Sequence, residues 1–442
     1  MPRMTALSAR DLNERAAIRT AQPPRIQKVD NKPDMTADTL IKQGQNEFYT
    51  GNLESALSTF EQAKQLSPQH YQAWLFSGFT CLSLGHFEDA LHNLQTALPL
   101  KPTDPAVHDY LGRCWIALGD DDKALFHFRE SARLRPPAVA ADDDVLKVPA
   151  FRFRHDLEQM TALDEKQKLD ENARACLAAF RAVWQTSDST APAISVDRQS
   201  DHFKPLSLFY RTRVHLEPAS KVIGGALNPD LDSEALTASY LNKNPQILVI
   251  DDFLSPDALQ GLRDYCTYST IWHQDRPSGY LASTLPENFA CPLLFQISNE
   301  LTQLLPGVIK SHRLAYAWGF KYDSALSGVP VHADDAVVNV NFWMTSDDAN
   351  RSPNTGGLII WDKKPPAQWN YDAYNNATNT DAIRDFLQQE GAKGIRIPHR
   401  ANRVVIFDSD LFHETDEIDF KDDYLSRRVN MTLLYGTCRA SR

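Results

Sequence analysis

Two hydrophobic rhythms divide the chain. From about Ala37 to Ala138 apolar residues recur at helical spacing, and the small residues and prolines that punctuate them repeat every 34 positions. Gly44, Gly78 and Gly112 are in register, as are Gly51, Gly85 and Gly119, Ala56, Ala90 and Ala124, and Pro68, Pro102 and Pro136. Small residues recur where antiparallel helices must approach closely, and proline falls where a helix must stop. From Gln246 onward the spacing changes to short runs: "RLAYAWGFKY", "AVVNVNFWMT", "GGLIIWD", "RVVIFD" and "RVNMTLLYG". Bounded by Gly, Pro, Asn and Asp, they predict strands. A further strand is expected at Ile247 to Ile250, followed by a helix with Ser255 as N-cap and Pro256 in its first position. A second helix is expected from about Pro292 to Leu305. Short strands after a helical prelude predict a sandwich or barrel with helices on one face.

The 34-residue register resembles the tetratricopeptide repeat, in three copies over 37–138. The resemblance implies a stack of helix pairs whose concave surface holds a peptide or partner segment. The alternative is an array that packs only on its neighbour or forms a homodimer. Residues Asp164 to Thr186 are expected to form a helix capping the array, within a 139–190 stretch of capping helices and linker. Beyond it, "LSLFYRTRVHL" reads as one strand, and residues 1–36 read as a disordered tail.

Composition narrows the partners. With 42% hydrophobic and 23% charged residues the chain is of ordinary globular type. A net charge of -11 argues against nucleic acid or an anionic membrane, both of which select basic surfaces. The six cysteines form no Cys-x-x-Cys pair, which fits a reducing, cytoplasmic setting. No apolar run is long enough to span a bilayer, and the N-terminal stretch lacks the apolar core of a secretory signal.

Candidate chemistry centres on "GVPVHADDAVVNVNFWMT". A His-x-acid triplet is weak evidence, since this composition gives about two by chance. Four occur: His86-x-Glu88, His215-x-Glu217, His273-x-Asp275 and His332-x-Asp334. Only the last heads an alternating strand, where a spacing of two puts both side chains on one face. His413 follows "RVVIFD" by a short turn. Two imidazoles and a carboxylate are the ligands of a non-haem Fe(II) oxygenase, although surface loop histidines would read the same way. Arg428 opens "RVNMTLLYG" with Asn430 and Thr432 on its face, and a guanidinium fork suits a carboxylate. Arg427 competes for that role, because strand parity turns one of the two outward.

From about Gln246 to Thr437 the chain resembles the Fe(II)- and 2-oxoglutarate-dependent dioxygenases of the prolyl-hydroxylase-like branch. The segments "ILVIDDFLSPDAL", Tyr322, "HAD", "TGGLIIWD", "RVVIFDSDLFHET" and "RRVNMTLLYG" stand in the family's order. The resemblance implies a double-stranded β-helix (jelly-roll) barrel with flanking helices over 191–442, core 246–437, behind the helical solenoid, in a multidomain α + β chain. It implies iron ligands His332, Asp334 and His413, Arg428 on the far carboxylate of 2-oxoglutarate, and Tyr322 and Asn430 as further cosubstrate contacts. It also implies dioxygen as oxidant, ascorbate as a stimulant, and hydroxylation with release of succinate and CO2. Asn430 departs from the family's usual Ser or Thr. The insert "KKPPAQWNYDAYNNATNTDAIRDFLQQEGAKGIRIPH" reads either as a lid or as a remote surface excursion. The attached repeats favour a protein or peptide substrate; a small-molecule or amino-acid hydroxylase and an inactive interaction scaffold are the alternatives.

Overall fold

The computed structural model describes residues 36–135, 144–188, 190–276, 278–323 and 328–436. The expected tail, the last in-register proline, Pro136, and the sixth cysteine, Cys438, lie outside the described residues. Six helices form three antiparallel pairs: α1 (Ala37–Tyr49) with α2 (Leu53–Leu66), α3 (Tyr71–Leu84) with α4 (Phe87–Leu100), and α5 (Pro105–Leu118) with α6 (Asp121–Leu134). The glycine register has a steric cause. A Cβ on Gly44, Gly78 or Gly112 would stand 2.6 Å from Phe60, Leu94 or Phe128 of the partner helix, far inside contact distance. The second glycine set ends the first helix of each pair, with Gly51, Gly85 and Gly119 at φ of +87°, +79° and +82°. Ala56, Ala90 and Ala124 are fully buried at the same crossings.

Next come β1 (Val145–Pro149), α7 (Ala150–Glu165), α8 (Glu171–Thr186), β2 (Ala193–Asp197) and α9 (Phe203–Phe209). They share a separate core that includes Phe153, Leu163, Leu177, Phe180, Val196 and Leu206. The helix expected to cap the repeats thus packs mainly on α7 and α9. The third repeat rests instead on the β-rich region: Ala124, Leu125 and Phe128 join the core of that region, and Arg113 stacks 4.7 Å from the Tyr316 ring. The strand expected at "LSLFYRTRVHL" is corrected to the short helix α9 and an irregular tail. Pro205 cannot donate to a sheet ladder but fits a first helical turn.

The remainder comprises α10 (Ser233–Leu241), β3 (Ile247–Ile250), α11 (Pro256–Tyr268), β4 (Gln274–Arg276), β5 (Tyr280–Thr284), α12 (Pro292–Leu304), α13 (Pro306–Ile309) and β6 (Leu314–Tyr322). After these come β7 (Val338–Trp343), β8 (Leu358–Trp361), α14 (Tyr371–Asn375), α15 (Thr380–Gln389), β9 (Gly394–Ile397), β10 (Val404–Asp408), β11 (His413–Thr415) and β12 (Val429–Tyr435). Seven strands make an antiparallel sheet in the order β3-β10-β7-β12-β6-β5-β4, and three make a second, β11-β8-β9. Period-two alternation gives the large sheet two different faces. Val340, Phe342, Met431 and Leu433 pack on Leu262, Leu294 and Ile297 of α11 and α12. Trp343, Val405 and Phe407 meet Leu358, Ile360 and Ile397 of the small sheet. The two sheets face each other without closing into one hydrogen-bonded barrel among the described residues. No described helix is long and apolar enough to cross a membrane.

Where α7 meets the large sheet, a charged layer is buried. Arg427 pairs with Glu158 at 2.7 Å and Asp323 at 3.2 Å. Beside this layer His155 is held well below its usual range by burial and then by the cations Lys321, Arg427 and Arg152. His273 is pushed down to about 3 by burial and Arg152.

Two outcomes follow. Gly112→Val should cost about 1–3 kcal/mol of stability through overpacking against Phe128, read as a lower urea midpoint. Secondly, His155 and His273 stay neutral when folded but take protons at their ordinary pKa near 6.5 when unfolded. The unfolded chain therefore binds more protons below that pH, and stability falls as pH is lowered from about 7 to about 5. Thermal melts across that range check it, and His273→Phe should flatten the slope.

Candidate metal centre and its carboxylate pocket

His332 and His413 are joined by a single antiparallel bridge. The His332 N–H donates to the His413 carbonyl at 3.0 Å, and the His413 N–H to the His332 carbonyl at 2.8 Å. Their ring centroids stand 4.3 Å apart. Each ring is oriented by a carbonyl two residues upstream: His332 Nδ1 lies 2.8 Å from Pro330 O and His413 Nδ1 3.0 Å from Leu411 O. A carbonyl only accepts, so each Nδ1 carries the hydrogen and each Nε2 is left for a ligand role. Both Nε2 atoms turn to Asp334, at 3.7 Å from Oδ1 for His332 and 3.4 Å from Oδ2 for His413.

One ligand atom from each of the three residues fits within 4.8 Å of the others, and among the described residues no other such group of His, Cys, Asp or Glu occurs. For bonds of about 2.1 Å at right angles, ligand atoms stand about 3 Å apart, so the triad needs only a small contraction around an ion. Burial, then the neighbouring His413, lowers His332 to about 4. Burial would raise Asp334, but its close contacts with His413 and His332 bring it down to about 2. At neutral pH His332 is thus a lone-pair donor and Asp334 a carboxylate. The donor set, two imidazoles and one carboxylate on one side, fits a non-haem Fe(II) ion with positions left open.

The carboxylate ligand is the end of a polar chain across the sheet face. Asn339 Nδ2 donates to Asp334 Oδ2 at 2.9 Å, and Asn341 Nδ2 donates to Asn339 Oδ1. Asn341 Oδ1 accepts from Thr432 Oγ1 at 2.8 Å and from Asn430 Nδ2 at 3.4 Å. Asn430 Oδ1 accepts from Arg428 Nη1 at 3.0 Å. The chain links Asp334 on the loop before β7 to Arg428 at the start of β12 through residues of alternate parity on two paired strands.

Arg428 is fully buried. Its Nε donates to Gly356 O at 2.6 Å and its Nη2 to Gly357 O at 3.2 Å, and the guanidinium stacks 4.5 Å from the Tyr322 ring. Among the described residues no carboxylate lies within ion-pair distance of it. Asp416, the acid whose charge reaches it, pairs with Arg396 at 3.4 Å. Burial lowers the pKa of Arg428 from its usual value. A guanidinium buried without a counter-ion is costly, and an anionic ligand would offset that cost. Arg427 turns the other way, into the α7 layer. The geometry thus separates the two arginines: Arg427 is paired with Glu158 and Asp323, and Arg428 is held by the Gly356 and Gly357 carbonyls and Asn430.

All six expected site residues fall in this region: His332, Asp334 and His413 at one end, Arg428, Asn430 and Tyr322 at the other. Tyr322 Oη reaches Thr415 Oγ1 at 3.4 Å, and Asn430 holds the guanidinium. The other His-x-acid triplets serve elsewhere: Glu217 pairs with Lys168 and His215, Asp275 pairs with Arg211, and exposed His86 precedes α4. Asn339 and Asn341 were missed; two asparagines of equal parity in an apolar strand were the available signal. The insert over 363–399 is not remote. Tyr374, Ile383 and Leu387 pack on Val331, Ala333 and Phe412 around the triad, and Asn375 Nδ2 donates to Ala333 O at 2.6 Å.

A family profile described as tetratricopeptide repeat matches residues 48–114. The match supports tetratricopeptide repeats in the N-terminal helix pairs. Similar solved structures include the first such domain of Spaghetti (RPAP3) bound to an HSP90 peptide, at 18% identity over 23% of this chain and 80% of that one, TM-score 0.23. PcrH from Pseudomonas aeruginosa, in complex with the chaperone-binding region of PopB, is 24% identical over 22% of this chain and 79% of its own, TM-score 0.22. The Arabidopsis OM64 repeat domain is 16% identical over 23% and 83%, TM-score 0.22. No curated protein matches the chain.

Because Asn339 Nδ2 donates to the Asp334 carboxylate and orients it, Asn339→Ala should weaken Mn(II) binding by about 10- to 100-fold. Titration followed by the electron paramagnetic resonance of free Mn(II) measures this.

Proposed function

We propose that the chain is an Fe(II)- and 2-oxoglutarate-dependent dioxygenase, with its two facing sheets forming a double-stranded β-helix, that hydroxylates a protein or peptide segment recruited by its repeats. One observation carries the proposal. A fully buried guanidinium lacking a protein carboxylate within ion-pair distance, among the described residues, is tied by a chain of asparagines to the acid of a two-histidine, one-carboxylate cluster. A structural arginine needs no such cluster, and a hydrolytic metal site needs no such arginine.

In this reading each residue has one role. His332, Asp334 and His413 would hold the iron from one side and leave the other open. Arg428 would pair with the far carboxylate of 2-oxoglutarate, with Tyr322 below the guanidinium and Asn430 fixing its rotation. The Phe407 ring packs edge-on at 5.0 Å against His413 and covers that side of the ligand. When bound, iron with 2-oxoglutarate and dioxygen supplies the oxidising power to place a hydroxyl on an unactivated C–H bond, with succinate and CO2 released. The chain's own contribution is positioning and water exclusion.

Repeat arrays bind peptide segments, and this one shares a core with the β-rich region through α6. A segment held on the repeats would therefore be tethered to the domain that carries the site, at raised effective concentration. In the dioxygenase arrangement, anaerobic addition of Fe(II) and then 2-oxoglutarate to the full chain produces a visible charge-transfer band. His332→Ala abolishes the band, while Arg428→Ala keeps it but weakens the 2-oxoglutarate dependence by about 100-fold or more, as expected for losing a buried charged partner. Folded wild-type protein with no band would rule the proposal out.

A further inference from the structure

The last residue of the insert, His399, is buried with no side-chain surface exposed, and neither ring nitrogen has a hydrogen-bond partner. Its nearest acid, Asp347, lies at 3.9 Å from Nδ1, beyond hydrogen-bond reach. Such a group is rare, because leaving both nitrogens of a buried imidazole unmet is destabilising. Its position explains the expense. His399 follows β9 directly behind the Gly356–Gly357 turn whose carbonyls hold Arg428: its N–H donates to Thr355 O at 3.1 Å, and its Cβ stands 3.4 Å from where a Cβ on Gly356 would be.

Trp343 connects the two. Its ring lies 5.9 Å from the His399 ring and 5.8 Å from the Arg428 guanidinium carbon, and its buried indole N–H is also unpartnered. Phe420 packs edge-on to His399 at 5.0 Å and fixes its plane. A guanidinium and an imidazole thus both lie within about 6 Å of the Trp343 ring, and all three groups can donate. They share one complement, a group that only accepts. Arg428 and Arg403 add to burial in holding the ring neutral, down to about 3. A neutral imidazole still carries one N–H to donate.

Resting on the dioxygenase reading, we propose that His399, with the Trp343 indole, donates to the far carboxylate paired with Arg428 and so selects 2-oxo acids that carry a second carboxylate. His399 is then a cosubstrate-binding residue contributed by the insert. The insert's length is thereby linked to cosubstrate choice as well as to the cover over the triad.

The test uses the full chain loaded with Mn(II), titrated calorimetrically with 2-oxoglutarate and with pyruvate, which lacks the second carboxylate. Removing a donor to a buried charge should weaken 2-oxoglutarate by about 10-fold or more in His399→Phe and leave pyruvate within about 2-fold. His399→Gln keeps an N–H donor and should stay within about 3-fold of wild type for both ligands. Independently of any variant's folding, one imidazole 15N resonance of the wild-type protein should move with 2-oxoglutarate and hold still with pyruvate. Equal losses for both ligands in His399→Phe, or no loss for either, would overturn the assignment while wild-type binding leaves the dioxygenase reading standing. Wild-type protein that binds no 2-oxoglutarate would remove that reading, and this assignment with it.

Discussion

The burial of the Arg428 guanidinium constrains everything around it. Taking an unpaired charge out of water costs several kcal/mol, so each of its donors must meet an acceptor that cannot move away. Two of the acceptors are the carbonyls of Gly356 and Gly357. A Cβ at Gly357 would stand 1.9 Å from the Ile397 carbonyl oxygen, so only glycine lets the small sheet come this close. The third acceptor, Asn430, passes the constraint along the asparagine chain to Asp334. The arginine end and the acid end of the region are therefore parts of one hydrogen-bonded unit laid across β7 and β12.

This unit survives because the large sheet sorts its side chains so strictly. The face toward α11 and α12 is apolar and supplies the stabilising burial. The opposite face is free to carry Asn339, Asn341, Asn430 and Thr432, all of them buried and each hydrogen-bonded. Such a network is stable only if complete, since a half-satisfied one costs more than an apolar core. The third repeat buries Phe128 in the same core that backs this sheet, which makes the repeats part of the scaffold rather than an appendage.

How much of this was legible in the sequence depended on the range of the cause. The repeats were legible because Gly44, Gly78 and Gly112 each answer a side chain in the next helix, a local contact that imprints a fixed period. Six strands were legible from their apolar runs, whereas β1, β2, β4, β5, β9 and β11 were not, being short and set by their partners. The triad could be picked out because His332 and Asp334 head an apolar run, although the strand begins only at Val338 and the His332–His413 bridge sets their approach. Parity separated Arg427 from Arg428 but not which of them is paired with protein acids; that needed Glu158 and Asp323 on the Arg427 side. His399 was invisible: a histidine at the end of a long insert acquires meaning only when the fold buries it without partners.

The central claim is that one metal site and one buried arginine bind the two ends of a single dicarboxylate. A crystal structure of the full chain with Mn(II) and 2-oxoglutarate tests it most directly. The account predicts the ion on His332 Nε2, Asp334 and His413 Nε2, with the ligand's far carboxylate on the Arg428 guanidinium. An ion bound elsewhere, or a ligand that leaves Arg428 untouched, would contradict it.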